Sequence, residues 1–392
     1  MKRPANTEAL TAANTVPMLD VNRGNHPLAV EFQTAIDSVF KTGRFLHGPE
    51  VQQLEKAIAG CCGTNHAIGC ASGSDALLLS LMALEIGTGD EVIVPSFTFF
   101  ATASAVWRLG ARPVFVDIDP QTFNMNPRGI EQAITKATKA IIPVHLFGQM
   151  APMDEIMKIA EAYHLRVIED AAQSIAATYQ GRPAGSIGDV GCLSFYPTKN
   201  LGAFGDAGMI TTNQGELADR LRLLAAHGMQ SAYYHNEVGI NSRLDSIQAA
   251  VLNVKISQLN KITAARRANA ARYAELFSEI NTISEVQLPE AVDDAFHVWN
   301  QYTIRVTQGR RDELRSYLQQ HGIGTGVYYP IPLHQQKCFA SLDLPSWGLP
   351  ETERAAGEVL SLPIFPELTV QEQQLVVAAL ADFYAKSEKS AA

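Results

Sequence analysis

The sequence predicts an α/β protein in which a mostly parallel sheet is flanked by helices and followed by a smaller C-terminal α+β domain. The first observation is that short β-branched runs alternate with helical segments. The second is that these runs are almost continuously apolar, as in strands covered on both faces. The third is the length of 392 residues, which suffices for two domains. We place the large domain at residues 14–257 and the small one at residues 258–392.

The individual elements can be placed in order along the chain. Proline, aspartate or a polar turn closes each of four predicted strands, at residues 91–95, 112–118, 140–146 and 165–170. Helical periodicity predicts helices at residues 74–87 and 153–164. A longer helical stretch runs from Leu244 to Ile280, with one apolar stripe through Val251 and another through Leu252. Two stripes indicate burial on more than one side, as at a domain or subunit junction. The small domain is predicted to contain a strand and a helix, at residues 298–306 and 311–322.

The composition excludes several classes of protein. The formal net charge is −9 and the pI is about 5.6, which argues against nucleic acid as a partner. No apolar run approaches the roughly 20 residues that span a bilayer, and the N-terminal segment lacks the apolar core of a signal peptide. The five cysteines lack CxxC spacing, which favours reduced thiols over disulfides or a zinc site. We therefore expect a cytoplasmic protein with neither membrane nor nucleic-acid partners and no metal centre.

One lysine stands in a stretch otherwise rich in small, aromatic and glycine residues. In SFYPTKNLGAFGDAGMI, residues 194–210, Lys199 precedes the glycines at 202, 205 and 208. A phosphate-binding P-loop has the opposite order, with the lysine after the glycines and before serine or threonine. The stretch therefore calls for another chemistry that uses a single amine.

The stretch CASGSDALLLSL, residues 70–81, leads through Gly73 and Ser74 into a predicted helix. Free N–H groups and the helix dipole make such an N-terminus an anion site, to which the Ser74 hydroxyl can add a donor. The alternative is an ordinary serine cap with Asp75 in the first turn.

The motif VIEDAAQS, residues 167–174, places Asp170 at the end of a predicted strand, with Gln173 three residues later. Ligands of open α/β sheets bind beyond the carboxyl ends of the strands, where Asp170 could pair with a cationic ring nitrogen. The alternative is an aspartate that caps the next turn.

The segment NSRLDSIQAA begins with Asn241 and includes Arg243, both just before the long helical stretch. The simple interpretation is that Asn241 or Ser242 caps the helix and that Arg243 is solvated.

A lysine amine, an anion cradle and a carboxylate at a strand end form the set that pyridoxal phosphate requires. Its aldehyde condenses with a lysine, its phosphate needs several donors, and its pyridine nitrogen needs a carboxylate to stay protonated. The residues alone thus predict a pyridoxal-phosphate enzyme.

The chain also resembles the DegT/DnrJ/EryC1/StrS family of sugar aminotransferases, which have the fold of type I pyridoxal-phosphate enzymes. The resemblance covers more than nine-tenths of the chain. The ordered motifs that carry it include GRFLHGPEV, ASGSDAL, GDEVIVPSFTFFATA, VIEDAAQS, SFYPTKNLGAFGDAG, NSRLDSIQAA and YYPIPLHQQ.

The resemblance implies roles for individual residues around the cofactor. Lys199 would be the Schiff-base lysine and proton shuttle, Asp170 would hold the pyridine nitrogen, and Gln173 would lie near the 3-hydroxyl. Phe99 would stack on the ring. The phosphate would be bound by Gly73, Ser74 and Ser194, and by Asn241 of the neighbouring subunit in a homodimer with shared active sites.

The resemblance further implies a nucleoside-diphosphate keto sugar as substrate, aminated possibly at C3, and L-glutamate as amino donor. The positions that match nucleotide-sugar contacts are Gly43, Phe45, Thr198, Arg243, Tyr328 and Tyr329. Phe45 stands where several relatives have tyrosine, and Tyr328 where they have histidine, which changes the hydrogen-bonding capacity. Tyr328 and Tyr329 also fit a simple packed aromatic pair.

Other functions remain open at this point. A sugar dehydratase of this family carries histidine in place of the lysine, whereas this chain keeps Lys199. An amino-acid aminotransferase needs an arginine clamp for the substrate carboxylate, and no arginine of the C-terminal part lies in a distinctive motif. A nucleotide-sugar-binding protein without turnover is the third alternative.

Overall fold

A computed structural model describes residues 15–280, 285–342, 346 and 348–391. The first and last residues of the two predicted domains, Asn14 and Ala392, lie outside these ranges. The described residues form thirteen α-helices: α1 (Val21–Asn25), α2 (Ala29–Thr42), α3 (Pro49–Cys62), α4 (Gly73–Ala83), α5 (Ala101–Arg108), α6 (Pro127–Ala133), α7 (Met153–Tyr163), α8 (Gly215–Ala225), α9 (Ser246–Ile256), α10 (Leu259–Glu279), α11 (Arg311–Gln320), α12 (Pro350–Glu358) and α13 (Val370–Ala391).

Fifteen strands lie in the same described ranges. They are β1 (His66–Cys70), β2 (Glu91–Pro95), β3 (Arg112–Val116), β4 (Thr138–Ile141), β5 (Arg166–Asp170), β6 (Thr178–Tyr179), β7 (Arg182–Pro183), β8 (Val190–Ser194), β9 (Gly208–Thr212), β10 (Met229–Ser231), β11 (Tyr234–His235), β12 (Val286–Gln287), β13 (Ala295–Phe296), β14 (Tyr302–Val306) and β15 (Val359–Leu362). Short 3-10 turns occupy His26–Leu28, Leu146–Gly148, Leu333–Gln335 and Lys337–Phe339.

The main sheet has seven strands in the order β1-β9-β8-β5-β4-β2-β3. Its neighbouring strands from β8 to β3 pair in parallel, whereas β9 runs antiparallel to both β1 and β8. The mostly parallel sheet predicted from the sequence is thus confirmed. Because parallel strands end at the same edge, β5 and β8 bring their carboxyl-terminal residues together.

Helices cover both faces of this sheet, which explains why its strands read as continuous apolar runs. Alternate strand residues such as Ile93 and Val167 pack with α3, α6, α7 and α9 on one face. Their neighbours Val92 and Ile168 pack with α4, α5 and α8 on the other face. A separate buried cluster joins α10, α11 and α13 with β14 and β15. The predicted domain boundary at residues 257 and 258 stays a prediction.

The structure corrects the bounds of several predicted elements; the helix predicted at 74–87 ends at Ala83, and the strand predicted at 298–306 begins at Tyr302. The strand predicted at 140–146 ends at Ile141, because Pro143 has no N–H group for a strand ladder. The helical stretch predicted from Leu244 begins at Ser246 and breaks at Ser257–Gln258, so that α9 and α10 are separate helices. Among the described residues, no helix has both the length and the apolar character to cross a membrane.

The buried end of β5 is fixed by a network around Glu169. Its side chain is fully buried and accepts hydrogen bonds from the N–H groups of residues 185, 187 and 188 at 2.9, 2.7 and 2.7 Å. The His145 ring lies 2.9 Å away through Nε2, while its Nδ1 accepts from Ala151 N. Burial alone raises the pKa of Glu169, but the hydrogen bonds outweigh burial and leave that pKa below its ordinary value.

We expect Glu169→Ala to destabilise the protein by about 3–5 kcal/mol, because it leaves several buried donors without an acceptor. The free energy of unfolding, measured by urea denaturation, checks this expectation. Glu216→Ala provides the matched control, since Glu216 is an exposed residue in the first turn of α8. If Glu169→Ala costs no more than this control, the network does not fix the strand end.

Candidate active site

Asp170, the last residue of β5, lies buried at the carboxyl edge of the main sheet. Its Oδ2 accepts a hydrogen bond from Thr102 Oγ1 at 2.8 Å, and its Oδ1 accepts from Ala172 N at 3.3 Å. Burial raises the pKa of Asp170, and this rise is partly offset by the hydrogen bonds from Thr102 and Ala172 and then by the positive charge of Lys199. Within the described ranges, no cation lies at ion-pair distance from this carboxyl. The site can therefore accept a positively charged group.

Lys199 lies on the turn that follows β8, where its N–H donates to Tyr196 O at 2.8 Å. Burial lowers the pKa of its amine to about 8, although the negative charge of Asp170 acts in the opposite direction. At neutral pH an appreciable fraction of such an amine is uncharged, in contrast to an exposed lysine. Lys199 is thus suited to nucleophilic and proton-transfer chemistry.

Gln173 joins the backbone at Phe147 to a group of aromatic residues that includes Tyr329, Tyr328 and Phe99. Gln173 Oε1 accepts from Phe147 N at 2.6 Å, and its Nε2 donates to the Tyr329 hydroxyl at 3.3 Å. The ring centroid of Tyr329 lies 6.3 Å from that of Phe99 and 6.0 Å from that of Tyr328. Phe99 leaves 57% of its surface exposed, so its ring is open to a flat ligand. Burial and the charge of Asp170 both raise the pKa of Tyr329.

The residues predicted to form an anion cradle lie at the N-terminus of α4. Ser72 caps α4 by accepting from Asp75 N at 3.1 Å, so Ser74 is a first-turn residue rather than the cap. As the first two helical residues, Gly73 and Ser74 have N–H groups without an acceptor inside the helix. A methyl group at Gly73 would lie 2.6 Å from Ser194 Cβ, so only glycine lets the backbone approach Ser194 this closely. The N-terminus of α4 therefore lies close against Ser194, so that donors of the two segments are near each other.

These groups fit pyridoxal phosphate. A partly buried amine with a lowered pKa lies near a buried carboxyl that lacks an ion-paired cation in the described chain, beside an open aromatic face. A helix N-terminus free of side-chain bulk at Gly73 adds a place for a phosphate. The fit rests on the donor set and on its position at one edge of the sheet.

Four predicted residues lie apart from this cluster in the described chain. The side chain of Arg243 donates to Asn241 Oδ1 at 2.5 Å and lines a second cavity with His47. Gly43 ends α2 in a left-handed conformation, and Phe45 packs edge-on against Phe40 with ring centroids 5.8 Å apart. No hydrogen bond or ring contact within the described residues joins these four positions to Lys199.

The capping alternative for Asn241 and Ser242 is wrong. The residue before α9 is Asp245, whereas Ser242 Oγ accepts from Ala71 N at 3.1 Å. Asn241 instead makes an antiparallel bridge with Ala226 and remains exposed. Since its Oδ1 accepts from Arg243, its Nδ2 is the group that can donate to another molecule.

Thr198 differs from the other predicted sugar contacts because it lines a cavity of about 310 Å³ together with Lys199. Asn200, the next residue, is buried and donates to Val298 O at 3.0 Å. This contact ties the lysine turn to the C-terminal part of the chain. The other lining residues come from α1, α9, α10 and the segment before α13.

Sequence reasoning missed residues that support the site from behind. Thr102 donates to Asp170 from the first turn of α5, and it stands in the quoted motif GDEVIVPSFTFFATA three residues after Phe99. Glu169 stands in the quoted motif but received no role, and His145 was not singled out. Its contact with Glu169 joins residues 24 apart in the chain, which no local spacing reveals.

Comparisons with known proteins agree with this geometry. The model of the DegT/DnrJ/EryC1/StrS aminotransferase family matches residues 27–381. A protein of Geobacillus stearothermophilus named pleiotropic regulatory protein is 51% identical, over 94% of this chain and 98% of its own. A UDP-N-acetyl-3-dehydro-alpha-D-glucosamine 3-aminotransferase of Acidithiobacillus ferrooxidans is 47% identical, over 93% of this chain and 96% of its own.

A solved structure shows the same fold. The crystal structure of DesV from S. venezuelae superposes with a TM-score of 0.90 at 42% identity, and the match covers 94% of this chain and 98% of that one. The predicted type I fold and the predicted cofactor are confirmed. The chain belongs to the DegT/DnrJ/EryC1/StrS aminotransferase family and is a pyridoxal-phosphate-dependent enzyme.

Proposed function

We propose that this enzyme transfers an amino group from L-glutamate to C3 of a keto sugar linked to a nucleoside diphosphate. The observation that carries the proposal is that the charges of the Lys199 amine and the buried Asp170 carboxyl act on each other, with Tyr329 within reach of the same carboxyl's charge and Tyr328 packed against Tyr329. The Acidithiobacillus ferrooxidans relative, whose name specifies amination at C3, supports the choice of carbon.

The retained lysine also argues against the alternatives. A protein that only binds nucleotide sugars, or a regulator such as the name of the Geobacillus relative suggests, has no need of a buried amine. Burying Lys199 and Asp170 carries a desolvation cost, which is expected where both groups take part in chemistry. A dehydratase is disfavoured because Lys199 is present.

The residues that would hold pyridoxal phosphate lie around Asp170 and at the N-terminus of α4. Lys199 would bind its aldehyde carbon, Asp170 its ring nitrogen, and Gln173 its 3-hydroxyl side, while Phe99 would cover the ring face. Gly73, Ser74 and Ser194 would hold its phosphate. When bound, the cofactor supplies an electron-withdrawing ring that stabilises negative charge at the substrate carbon.

Each protein group then has a definite task. The Lys199 amine, with a pKa of about 8, can take a proton from the donor carbon and return one to the sugar carbon. The Asp170 carboxylate would stabilise the positive charge of the ring nitrogen, and Thr102 Oγ1 orients this carboxylate through a hydrogen bond. Tyr328 and Tyr329 offer hydroxyl groups to the sugar, and Thr198 lies beside the lysine.

A homodimer with shared sites is part of the proposal. Asn241 is exposed and makes no contact with Lys199 of its own chain among the described residues, so it is free to reach a partner's phosphate. Arg243 beside it would meet the partner's substrate. Exposed large apolar residues, among them Phe40, Phe45, Phe100 and Tyr196, provide surface that an interface would bury.

The five cysteines are free, which supports a cytoplasmic location.

With glutamate and a panel of nucleotide-linked keto sugars, we expect 2-oxoglutarate release with a 3-keto sugar and not with its 4-keto isomer.

Lys199→Ala should lower turnover by at least about 1000-fold, because no other amine of the described chain lies at the carboxyl of Asp170. Lys158→Ala, an exposed lysine on α7, should leave turnover unchanged. Turnover of Lys199→Ala within about tenfold of wild type would remove the lysine from its role.

Asp170→Asn should retain the cofactor but slow each half-reaction by about 100-fold or more, because an amide cannot hold a positive ring nitrogen. The change in cofactor absorbance after rapid mixing with glutamate measures the rate. The cofactor content of the purified variant serves as the control, since Gly73, Ser74 and Ser194 remain. A near-normal rate would mean that Asp170 acts only as a turn cap.

For the shared site, mixing two inactive variants should restore activity. In a mixed dimer of Lys199→Ala and Asn241→Asp subunits, one pocket carries both changes and the other carries neither. Random exchange makes half of the dimers mixed, so activity should return to about a quarter of the wild-type level. The negative charge that Asn241→Asp introduces repels the phosphate, which explains the inactivity of that variant alone.

Mass spectrometry of differently tagged subunits provides the control for exchange. If mixed dimers form but no activity returns, Asn241 serves the pocket of its own subunit.

A further inference from the structure

The cavity of about 310 Å³ beside Lys199 has features that the proposed cofactor and sugar contacts do not use. Neither Asp170 nor Gln173 lines it, and of the proposed sugar contacts only Thr198 does. Its walls are instead rich in cations, of which Lys255, Lys261 and Arg266 come from the end of α9 and the start of α10.

Two of these cations, Lys255 and Arg266, have no carboxylate at ion-pair distance among the described residues. Arg266 is only 3% exposed, and its guanidinium donates to the carbonyl oxygens of Trp299 and Ile364 at 3.0 and 3.1 Å. Its buried Nε has no hydrogen-bond partner in the described part of the chain. Lys255 Nζ likewise donates to a carbonyl, that of Gly202, at 2.7 Å.

The carboxylates that line the cavity leave an excess of positive charge. Asp20 is engaged by Arg23 at 3.3 Å, and Arg23 also pairs with Glu372 at 2.7 Å. Glu367 is the other carboxylate in the lining, and its charge acts on both Lys255 and Arg266. Burial lowers the pKa of Lys255 to about 8 and that of Arg266 to about 10, even though Glu367 acts in the opposite direction. An anion in the cavity would stabilise the charged forms of both.

The backbone adds to this field. Lys261 and Arg266 lie within the first two turns of α10, a helix of 21 residues. Its first turn contains no acidic residue, and no side chain caps it. The positive end of the helix dipole and its free N–H groups therefore favour an anion at the same place.

The residues and the volume of the cavity indicate which anion it can bind. Arg243, proposed to meet the sugar nucleotide of the partner, lines a different cavity. A volume of about 310 Å³ accommodates a five-carbon dicarboxylate but not a whole sugar nucleotide. Both the amino donor and the sugar nucleotide must react next to Lys199, which lines this cavity. The amino donor therefore has a place that the sugar nucleotide does not fill.

We propose that this cavity binds the distal carboxylate of a dicarboxylic amino donor, with Lys255, Lys261 and Arg266 as its counter-ions. The inference rests on the proposed function and adds the feature that selects the donor. A monocarboxylic amino acid such as alanine cannot use these charges, so the cavity favours glutamate over alanine.

The test uses the cofactor-loaded enzyme and Lys261→Glu, which reverses an exposed charge on the cavity wall. Glutarate, a dicarboxylate without an amino group, is titrated by calorimetry, with butyrate for comparison. We expect Lys261→Glu to weaken glutarate binding by about tenfold and to raise the KM for glutamate by a similar factor. The half-reaction with the keto sugar should not change.

Lys158→Glu on α7 is the matched charge reversal away from the cavity and should leave glutarate binding unchanged. Lys255→Gln, which keeps a hydrogen-bond donor near Gly202, should weaken glutarate binding in the same direction as Lys261→Glu. If both cavity variants bind glutarate within about twofold of wild type, the inference is overturned.

A different result would assign the cavity to the other substrate. If Lys261→Glu slows the sugar half-reaction and leaves glutarate binding intact, the cavity receives the diphosphate and the inference is wrong. Failure of the wild-type enzyme with every keto sugar in the panel would instead overturn the proposed function. Glutarate binding is measured without turnover, so the two failures are distinguishable.

Discussion

The position of Asp170 depends on the residue before it. Successive residues of a strand project to opposite faces, so Glu169 and Asp170 at the end of β5 point to different sides of the sheet. Glu169 is held by three backbone N–H groups and by His145, all on its own side. Because a buried carboxylate with four partners cannot move without breaking several hydrogen bonds, the strand end is fixed. Asp170 is thereby presented to the site from a rigid base.

The order of the strands explains how distant segments meet at this carboxyl. β8 pairs with β5, and Cys192 stands opposite Asp170, so the chain that leaves β8 through Ser194 reaches the lysine turn directly. β9 returns antiparallel between β8 and β1, and β1 leads into Gly73 and α4. The amine, the carboxyl and the anion cradle therefore come together through neighbouring strands, although they are far apart in sequence.

Short sequence motifs sufficed to predict those parts of the fold and of the candidate site that depend on neighbouring residues in the chain. Glycine followed by serine before an apolar helix, aspartate at the end of a β-branched run, and the isolated Lys199 each stand in a short motif. Motifs could not show that Thr102 orients Asp170 or that His145 supports Glu169, since these contacts depend on how strands and helices pack. The break between α9 and α10 also has no local signal. It falls at Ser257 and Gln258, which are both compatible with a helix, and neither glycine nor proline stands there.

The environments of Asp170 and Lys199 shift their pKa values toward each other. Burial raises the pKa of the carboxyl and lowers that of the amine to about 8, because it disfavours the charged form of both groups. A cationic ring nitrogen placed at Asp170, as proposed above, would favour the ionised form of the carboxyl, so the same interaction would both bind the cofactor and keep its ring electron-withdrawing. The amine, relieved of part of its charge, can exchange protons near neutral pH. On this proposal, one structural feature, the burial of two opposite charges at the edge of a parallel sheet, accounts for both the affinity for the cofactor and the reactivity of the amine.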